Sequence, residues 1–189
     1  TNIVDVNPLS YNWEKEMIAL NEQAPTVLRT NTLKTTIKEL IADLKDEGVE
    51  SFPIKNYPDA IQLEEKKNVF LTTAFKEGLF EVQDASSQKI GELLDVKEGM
   101  RVVDACAGAG GKTLHLAALM KNKGQIIALD IHEWKLAELK RRAKRAGAHN
   151  IETRFIEDNK VIKRLHDKAD RLLLDAPCSG LGVLKRNPD

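Results

Sequence analysis

The second half of the chain alternates between short apolar runs and segments with helical spacing, and this pattern limits the folds open to it. The apolar runs are typical of buried strands and lie at residues 101–105, 125–130, 151–156 and 171–175. The helical segments lie near residues 114–120, 134–146 and 161–166. Strands that alternate with helices are joined by right-handed crossovers, which builds a parallel sheet covered on both faces. We therefore expect an α/β domain with a Rossmann-like sheet.

The first half of the chain predicts a small α+β domain. Residues 27–31 are strand-like, and Thr36 and Glu39 have the spacing of a helix capping box. The helix predicted after this box ends near Gly48, since glycine commonly follows the last helical residue. Two prolines interrupt residues 52–63, which therefore predict an edge strand or a loop.

A change in sequence pattern near residue 78 marks the predicted domain boundary. Residues 1–78 form the small domain and residues 79–189 the N-terminal part of the Rossmann-like domain. The chain has 29 basic and 29 acidic side chains, but acidic residues prevail in the first domain and basic residues in the second. The densest basic run lies in residues 135–145. Such a run could contact phosphates, although a solvated helix face explains it as well.

The composition restricts the setting of the protein. No apolar run approaches the roughly 18 residues that a membrane-spanning helix needs. Residues 1–10 lack the basic and apolar stretches of a secretory signal. The two cysteines, Cys106 and Cys178, cannot form a disulfide framework, and no cysteine or histidine pair has the spacing of metal ligands. We expect a soluble cytoplasmic protein without a membrane partner or a metal.

An acidic residue stands at or just after the end of each strand predicted for the Rossmann-like sheet. These residues are Asp104, Asp130, Asp158 and Asp175. An open parallel sheet binds its ligand in the crevice beyond the carboxyl ends of its strands. Each aspartate alone could be a helix cap or a surface residue, but four at successive strand ends favour a ligand site.

A glycine-rich turn at residues 106–113 follows the first of these strands. Its glycines allow the backbone to approach a ligand closely, and the next helix offers unpaired N–H groups. Asp130 follows about 20 residues after the turn, where a carboxylate can accept hydrogen bonds from both hydroxyls of a ribose. A phosphate-binding P-loop would need glycine at Cys106, and a dinucleotide fingerprint would need glycine or alanine at Thr113. The pattern therefore favours a ribose-bearing ligand without a phosphate requirement, which fits S-adenosylmethionine.

The segment that follows the fourth strand, Asp175-Ala176-Pro177-Cys178-Ser179-Gly180, indicates the chemistry. Enzymes that methylate amino groups of bases typically carry two prolines and an aromatic residue here, whereas a thiol indicates chemistry at a ring carbon. A thiolate that adds to C6 of cytosine makes C5 nucleophilic, and after methylation the adduct loses the C5 proton and the thiol. The alternative for Cys178 is a buried small hydrophobic residue.

Four stretches of the chain resemble the Sun-type (Nop2/Sun) family of S-adenosylmethionine-dependent RNA cytosine-5 methyltransferases, in particular bacterial members that modify small-subunit ribosomal RNA. They are residues 24–34, 77–88, 104–113 and 175–180. The first two resemble the starts of the family's small RNA-recognition-like domain and of its catalytic domain. The last two resemble its cofactor and active-site motifs and are the most specific. Many members have alanine and proline where this chain has Gly108 and Ala109.

The resemblance implies a role for each site residue. Asp130 would hold the ribose of the cofactor and Asp158 the edge of its adenine. Asp175, as a catalytic residue, would lie near the methionine end and the target base. The glycine-rich turn would wrap the cofactor, mainly through the backbone groups of Cys106, Ala107, Gly108, Ala109, Gly110, Gly111 and Lys112.

The resemblance also implies that Cys178 is accessory. In this family a second cysteine, on the next strand, bonds to C6, and the Pro-Cys cysteine assists in product release. The family's sheet has seven strands and this sequence predicts four, so the main nucleophile is expected beyond Asp189. Lys185 and Arg186 would contact the RNA backbone. We therefore expect the chain to bind S-adenosylmethionine but to methylate RNA poorly or not at all.

Two alternatives remain open. One is a DNA cytosine-5 methyltransferase in which Cys178 is the nucleophile. The serine after Cys178 and the resemblance of the residues before 79 argue against it. The other is a non-catalytic module that binds the cofactor or RNA.

Overall fold

A computed structural model describes residues 24–176 and, outside that range, Lys15 and Ile18, both helical. Residues 25–176 belong to one compact unit. In the part of the chain that is described, no helix is long and apolar enough to cross a membrane.

The first sheet is antiparallel and has four strands in the spatial order β2-β3-β1-β4. The strands are β1 (Val27–Thr30), β2 (Ser51–Pro53), β3 (Ala60–Leu63) and β4 (Phe80–Val82). Helix α1 (Ile37–Asp46) follows β1, and a 3-10 turn (Val69–Leu71) and the short helix α2 (Thr73–Lys76) lie between β3 and β4. The chain order β-α-β-β-α-β is that of a ferredoxin-like fold.

The capping box predicted for α1 is present. Glu39 donates its backbone N–H to the Thr36 side chain at 3.3 Å, and the Thr36 N–H donates to the Glu39 carboxylate at 2.9 Å. Leu40 and Leu44, one helical turn apart, are fully buried against the first sheet's core. The helix gives way to Gly48 in the left-handed conformation, as the sequence predicts.

Two features of the first sheet differ from the sequence expectation. Residues 52–63 were expected to be an edge strand or a loop, but only β2 is an edge strand, because β3 pairs with both β1 and β2. Pro58 precedes β3, so it removes no hydrogen bond from the ladder. In addition, β4 pairs with β1, so this sheet extends to Val82, beyond the boundary placed at residue 78.

The second sheet is parallel, in the order β7-β6-β5-β8, which confirms the Rossmann-like expectation for the described residues. Its strands are β5 (Arg101–Asp104), β6 (Gln125–Asp130), β7 (Ile151–Phe155) and β8 (Arg171–Leu173). The helices around it are α3 (Ala85–Leu93), α4 (Gly111–Leu119), α5 (Glu133–Ala146) and α6 (Asn159–Lys163).

Alternate side chains of the central strands pack against opposite layers. Ile126 and Ala128 of β6 join a core that contains Leu116 of α4 and Leu139 of α5. Ile127 and Leu129 of the same strand join a second core on the other face of the sheet, with Val103 and Leu165. Burial on both faces explains why these strands are nearly continuous apolar runs in the sequence.

Candidate functional site

The glycine-rich turn forms a loop across the carboxyl ends of three strands. It begins where β5 ends and continues into α4. The N–H of Ala105 donates to the carbonyl of Leu173 in β8 at 2.9 Å, and the N–H of Ala107 donates to the carbonyl of Leu129 in β6 at 2.8 Å. The loop is therefore fixed to the strands on both sides of β5, at the edge of the sheet where ligands of this architecture bind.

Two glycines of the loop have positive φ angles, +55° at Gly108 and +91° at Gly110. A Cβ atom at Gly110 would lie 2.6 Å from Cγ of Leu139, so the close packing of the loop on α5 requires glycine. A Cβ atom at Gly108 would meet no atom within 4 Å, so open space adjoins the loop there. Gly110 is thus explained by packing, whereas Gly108 leaves the backbone accessible to a ligand.

Asp130 closes β6 beside this loop. Its Oδ2 accepts the N–H of Gly108 at 2.9 Å, and its Oδ1 accepts the N–H of His132 at 2.8 Å. Asp130 is 7% exposed, and each of its carboxylate oxygens has capacity for one further hydrogen bond. A contact between Asp130 and a ribose stays a prediction.

Asp104 supports the loop from below rather than facing the crevice. It is 1% exposed, and Oγ1 of Thr113 donates to its Oδ2 at 2.7 Å. Burial raises the pKa of this carboxyl group from 3.8 to about 6, against the lowering effect of the hydrogen bond from Thr113. Of the four strand-end aspartates, Asp104 therefore stabilises the loop through its buried hydrogen bond with Thr113.

Lys112 and Asp175 form an ion pair across the site. Nζ of Lys112, on the first turn of α4, donates to Oδ2 of Asp175, just beyond β8, at 2.6 Å. The Asp175 side chain is half exposed. This pair joins the cofactor loop expected from the sequence to the residue expected near the target base.

Asp158 lies after β7 and caps α6. Its Oδ1 accepts the N–H of Lys160 at 2.7 Å, which is the local role that any single strand-end aspartate could have. Its side chain remains about half exposed, and a contact with adenine stays a prediction.

Cys106 is a free, partly buried thiol in the loop. Burial raises its pKa above the usual value, and the negative charges of Asp104, Asp130 and Asp175 raise it further. A thiol in such surroundings stays protonated at neutral pH, which is unsuited to a nucleophile. Cys178, Lys185 and Arg186 lie outside the described residues.

The basic run on α5 divides into two groups. Arg142 and Arg145 donate to the buried carboxylate of Glu81 on β4. Arg141 is exposed and pairs with Glu138 of its own helix. The cations at residues 140, 141 and 144 are exposed and therefore accessible to a phosphate, whereas Arg142 and Arg145 form ion pairs within the fold.

Sequence patterns missed two side chains that contact the loop. Arg29 on β1 donates to the carbonyl of Gly111, and Arg142 donates to the carbonyl of Ala109. Both contacts join residues far apart in the chain, so no short motif could reveal them. Within the described ranges, no group of three or more histidine, cysteine or acidic side chains is placed to hold a metal ion.

Comparisons with known proteins agree with this geometry. Residues 91–189, more than half of the chain, match the family described as 16S rRNA methyltransferase RsmB/F, and residues 8–70 match a ferredoxin-like domain described as RsmF/B-like. The family match contains the glycine-rich loop and all four strand-end aspartates.

Individual relatives point the same way. The chain is 36% identical to ribosomal RNA small subunit methyltransferase B of Proteus mirabilis, over 94% of this chain and 42% of that protein. It is 39% identical to the probable ribosomal RNA small subunit methyltransferase B of Bacillus subtilis, over 86% of this chain and 36% of that protein. The chain thus spans about two fifths of the length of these curated relatives.

A solved structure of a methyltransferase homologue from Pyrococcus horikoshii superimposes with a TM-score of 0.79 at 35% identity, over 89% of this chain and 55% of that one. The resemblance to the Sun-type family found in the sequence is thereby confirmed. Together, the parallel sheet, the ferredoxin-like unit before it and the matched residues place the chain in the RsmB/F family of 16S rRNA methyltransferases.

Proposed function

We propose that this chain binds S-adenosylmethionine in the crevice beyond β5 and β6, as the cofactor-binding part of an enzyme that methylates C5 of a cytosine in small-subunit ribosomal RNA. The observation that carries the proposal is the position of Asp130. Its carboxylate ends β6, is tied to the amide of Gly108 and keeps acceptor capacity for two hydroxyls. The names of the curated relatives favour small-subunit ribosomal RNA as the substrate.

Each residue of the crevice has a part in this proposal. Asp130 holds the ribose, Asp158 meets the adenine edge, and the backbone of residues 106–112 surrounds the rest of the cofactor. Asp175 lies at the methionine end, where Lys112 fixes one of its oxygens. When bound, the cofactor supplies a methyl group on a sulfonium, ready for transfer to an electron-rich carbon.

Transfer to C5 requires a thiolate that adds to C6 and leaves again after the C5 proton is lost. The two cysteines of the chain are Cys106 and Cys178. The raised pKa of Cys106 argues against it as the nucleophile. We assign Cys178 an accessory role and expect the main nucleophile outside residues 1–189. Lys185 and Arg186 are assigned to RNA contacts, and ribosomal RNA as the substrate implies a cytoplasmic protein.

The proposal is tested by calorimetric titration of S-adenosylmethionine into the chain and into Asp130→Asn. We expect saturable binding that weakens at least about tenfold in the variant, since a hydrogen-bonding charge is lost. Asp167→Asn is the matched control, because Asp167 is an exposed aspartate far along the chain from the loop. Equal affinities of the two folded variants would contradict the assigned role of Asp130.

A further inference from the structure

Arg29 is a buried cation from the ferredoxin-like unit that reaches the loop of the second sheet. The residue is 3% exposed, and Nη1 donates to the carbonyl of Gly111 at 2.6 Å and to the side chain of Gln83. Burial lowers the pKa of Arg29 to about 10, so the group stays charged at neutral pH. A guanidinium is costly to bury unless it is hydrogen-bonded, so these contacts hold the first residue of α4 against β1.

Arg142 makes the second connection. Its Nη1 donates to the carbonyl of Ala109 at 2.8 Å, and its Nη2 donates to Oε2 of Glu81 at 2.8 Å. Nη2 of Arg145 donates to the other oxygen of Glu81 at 2.5 Å. The buried carboxylate of Glu81, on β4, thus fixes the guanidinium that holds the loop.

The two carbonyls determine how the loop amides point. In a trans peptide the C=O and the next N–H point in opposite directions. Because Arg29 fixes the carbonyl of Gly111, the N–H of Lys112 points away from Arg29. Likewise, Arg142 fixes the carbonyl of Ala109, so the N–H of Gly110 points away from Arg142. The N–H of Gly110 closes the turn on the carbonyl of Ala107 at 3.0 Å. The amides of the first helical turn have no partner within the helix and are the donors available to a ligand.

We propose that Arg29, Glu81 and Arg142 are positioning residues for the cofactor loop, so that the ferredoxin-like unit is part of the cofactor site and not only a platform for RNA. Because this inference rests on cofactor binding as the proposed function, its test contains one readout that needs no ligand. Loss of either guanidinium loosens the peptides of residues 107–113 and weakens ligand binding, while the rest of the second sheet keeps its structure.

The test compares Arg142→Met with Arg141→Met, its neighbour on α5. The Arg141 side chain is 80% exposed and pairs with Glu138, so its loss serves as the matched control. Amide hydrogen exchange of the free chain is measured over residues 107–113 and over β6. Calorimetry with S-adenosylhomocysteine gives the affinity, and thermal unfolding without ligand gives the global stability.

We expect Arg142→Met to speed exchange in residues 107–113 and to weaken S-adenosylhomocysteine binding, each by about tenfold, the scale of one charge-assisted hydrogen bond. Amide exchange in β6 of Arg142→Met should stay close to that of the unaltered chain. The exchange and the affinity of Arg141→Met should also stay close to those of the unaltered chain. Arg142→Lys restores part of the affinity, since a lysine can still donate to Ala109 or Glu81. Arg29→Met and Arg29→Lys provide a second pair on the other side of the loop.

The inference would be overturned if Arg142→Met lowered the thermal stability but left both the exchange in residues 107–113 and the affinity for S-adenosylhomocysteine unchanged. The ion pair of Arg142 and Glu81 would then stabilise the fold without positioning the loop. If the unaltered chain does not bind S-adenosylhomocysteine, the proposed function fails, and hydrogen exchange still decides whether Arg142 positions the loop.

Discussion

Thr113 and Asp104 form a buried hydrogen bond of 2.7 Å between the first turn of α4 and the last residue of β5. This bond closes the base of the loop, so that the peptide from Ala105 to Lys112 spans two fixed points. Since the carboxyl group is almost fully buried, its charged form is disfavoured, and its pKa lies at about 6.

The raised pKa of Asp104 predicts a pH dependence of stability. The unfolded chain has the ordinary pKa of 3.8, so between about pH 4 and pH 6 the folded state binds more protons than the unfolded state. The stabilisation from this group is complete at low pH and is lost as the pH rises through 6. We expect the free energy of unfolding of the unaltered chain, minus that of Asp104→Asn, to fall by about 2 kcal/mol from about pH 4 to pH 7. Urea unfolding of both proteins at a series of pH values measures this difference in free energy. A difference that does not change with pH would disprove the raised pKa of Asp104.

Gly110 is predicted to be intolerant of any side chain. Gly110→Ala adds a Cβ atom 2.6 Å from Leu139 to a backbone with φ of +91°. Gly99 has nearly the same φ, +88°, and no atom within 4 Å of an added Cβ, so Gly99→Ala measures backbone strain alone. We expect a loss of about 1 kcal/mol in Gly99→Ala and about 2 kcal/mol more in Gly110→Ala, by denaturant unfolding. Equal losses of unfolding free energy in the two variants would mean that α5 moves away from the added Cβ atom at position 110 without an energetic cost.

The Glu81 carboxylate, 5% exposed, should contribute more to folding than that of Glu138 on α5, 32% exposed. Glu81→Gln leaves two largely buried guanidinium groups without their counter-charge, and we expect the free energy of unfolding to fall by about 3 kcal/mol. Glu138→Gln removes the partner of the exposed Arg141 and should cost less than about 1 kcal/mol. The same unfolding experiment serves both variants. A small effect at Glu81 would show that water replaces its charge in the folded state.

Cys106 should be a slow thiol. Because burial and three nearby aspartates raise its pKa, its thiolate fraction at neutral pH is smaller than that of an ordinary thiol. In a Cys178→Ser background, alkylation of Cys106 by iodoacetamide, followed by mass spectrometry, should be slower than alkylation of glutathione. Faster alkylation would indicate an activated cysteine and would reopen its role in the chemistry.

Local patterns predicted much of this fold. The capping box of Thr36 and Glu39, the four parallel strands and the glycine-rich turn depend on neighbouring residues, and the structure has each of them. The pairing of β4 with β1 was not predictable in this way, since it joins residues about 50 positions apart and places a short strand after the expected boundary.

The candidate site also has some features that local sequence predicts and others that depend on residues far apart in the chain. The position of Asp130 at the end of β6 follows from the sequence, because strand ends and glycine-rich turns are local signals. The reach of Arg29 and Arg142 to the loop depends on how the two sheets meet, which no local pattern reveals. The sequence predicted a solvated or phosphate-binding face for all of the basic run, and two of its arginines instead face Glu81.

The most direct test of the account is titration of the unaltered chain with S-adenosylmethionine, S-adenosylhomocysteine, ATP and NAD, in parallel, by calorimetry. We expect one-to-one binding of S-adenosylmethionine, competed by S-adenosylhomocysteine, and no comparable binding of ATP or NAD. A folded chain that binds ATP or NAD more tightly, or that binds none of the four, would contradict it.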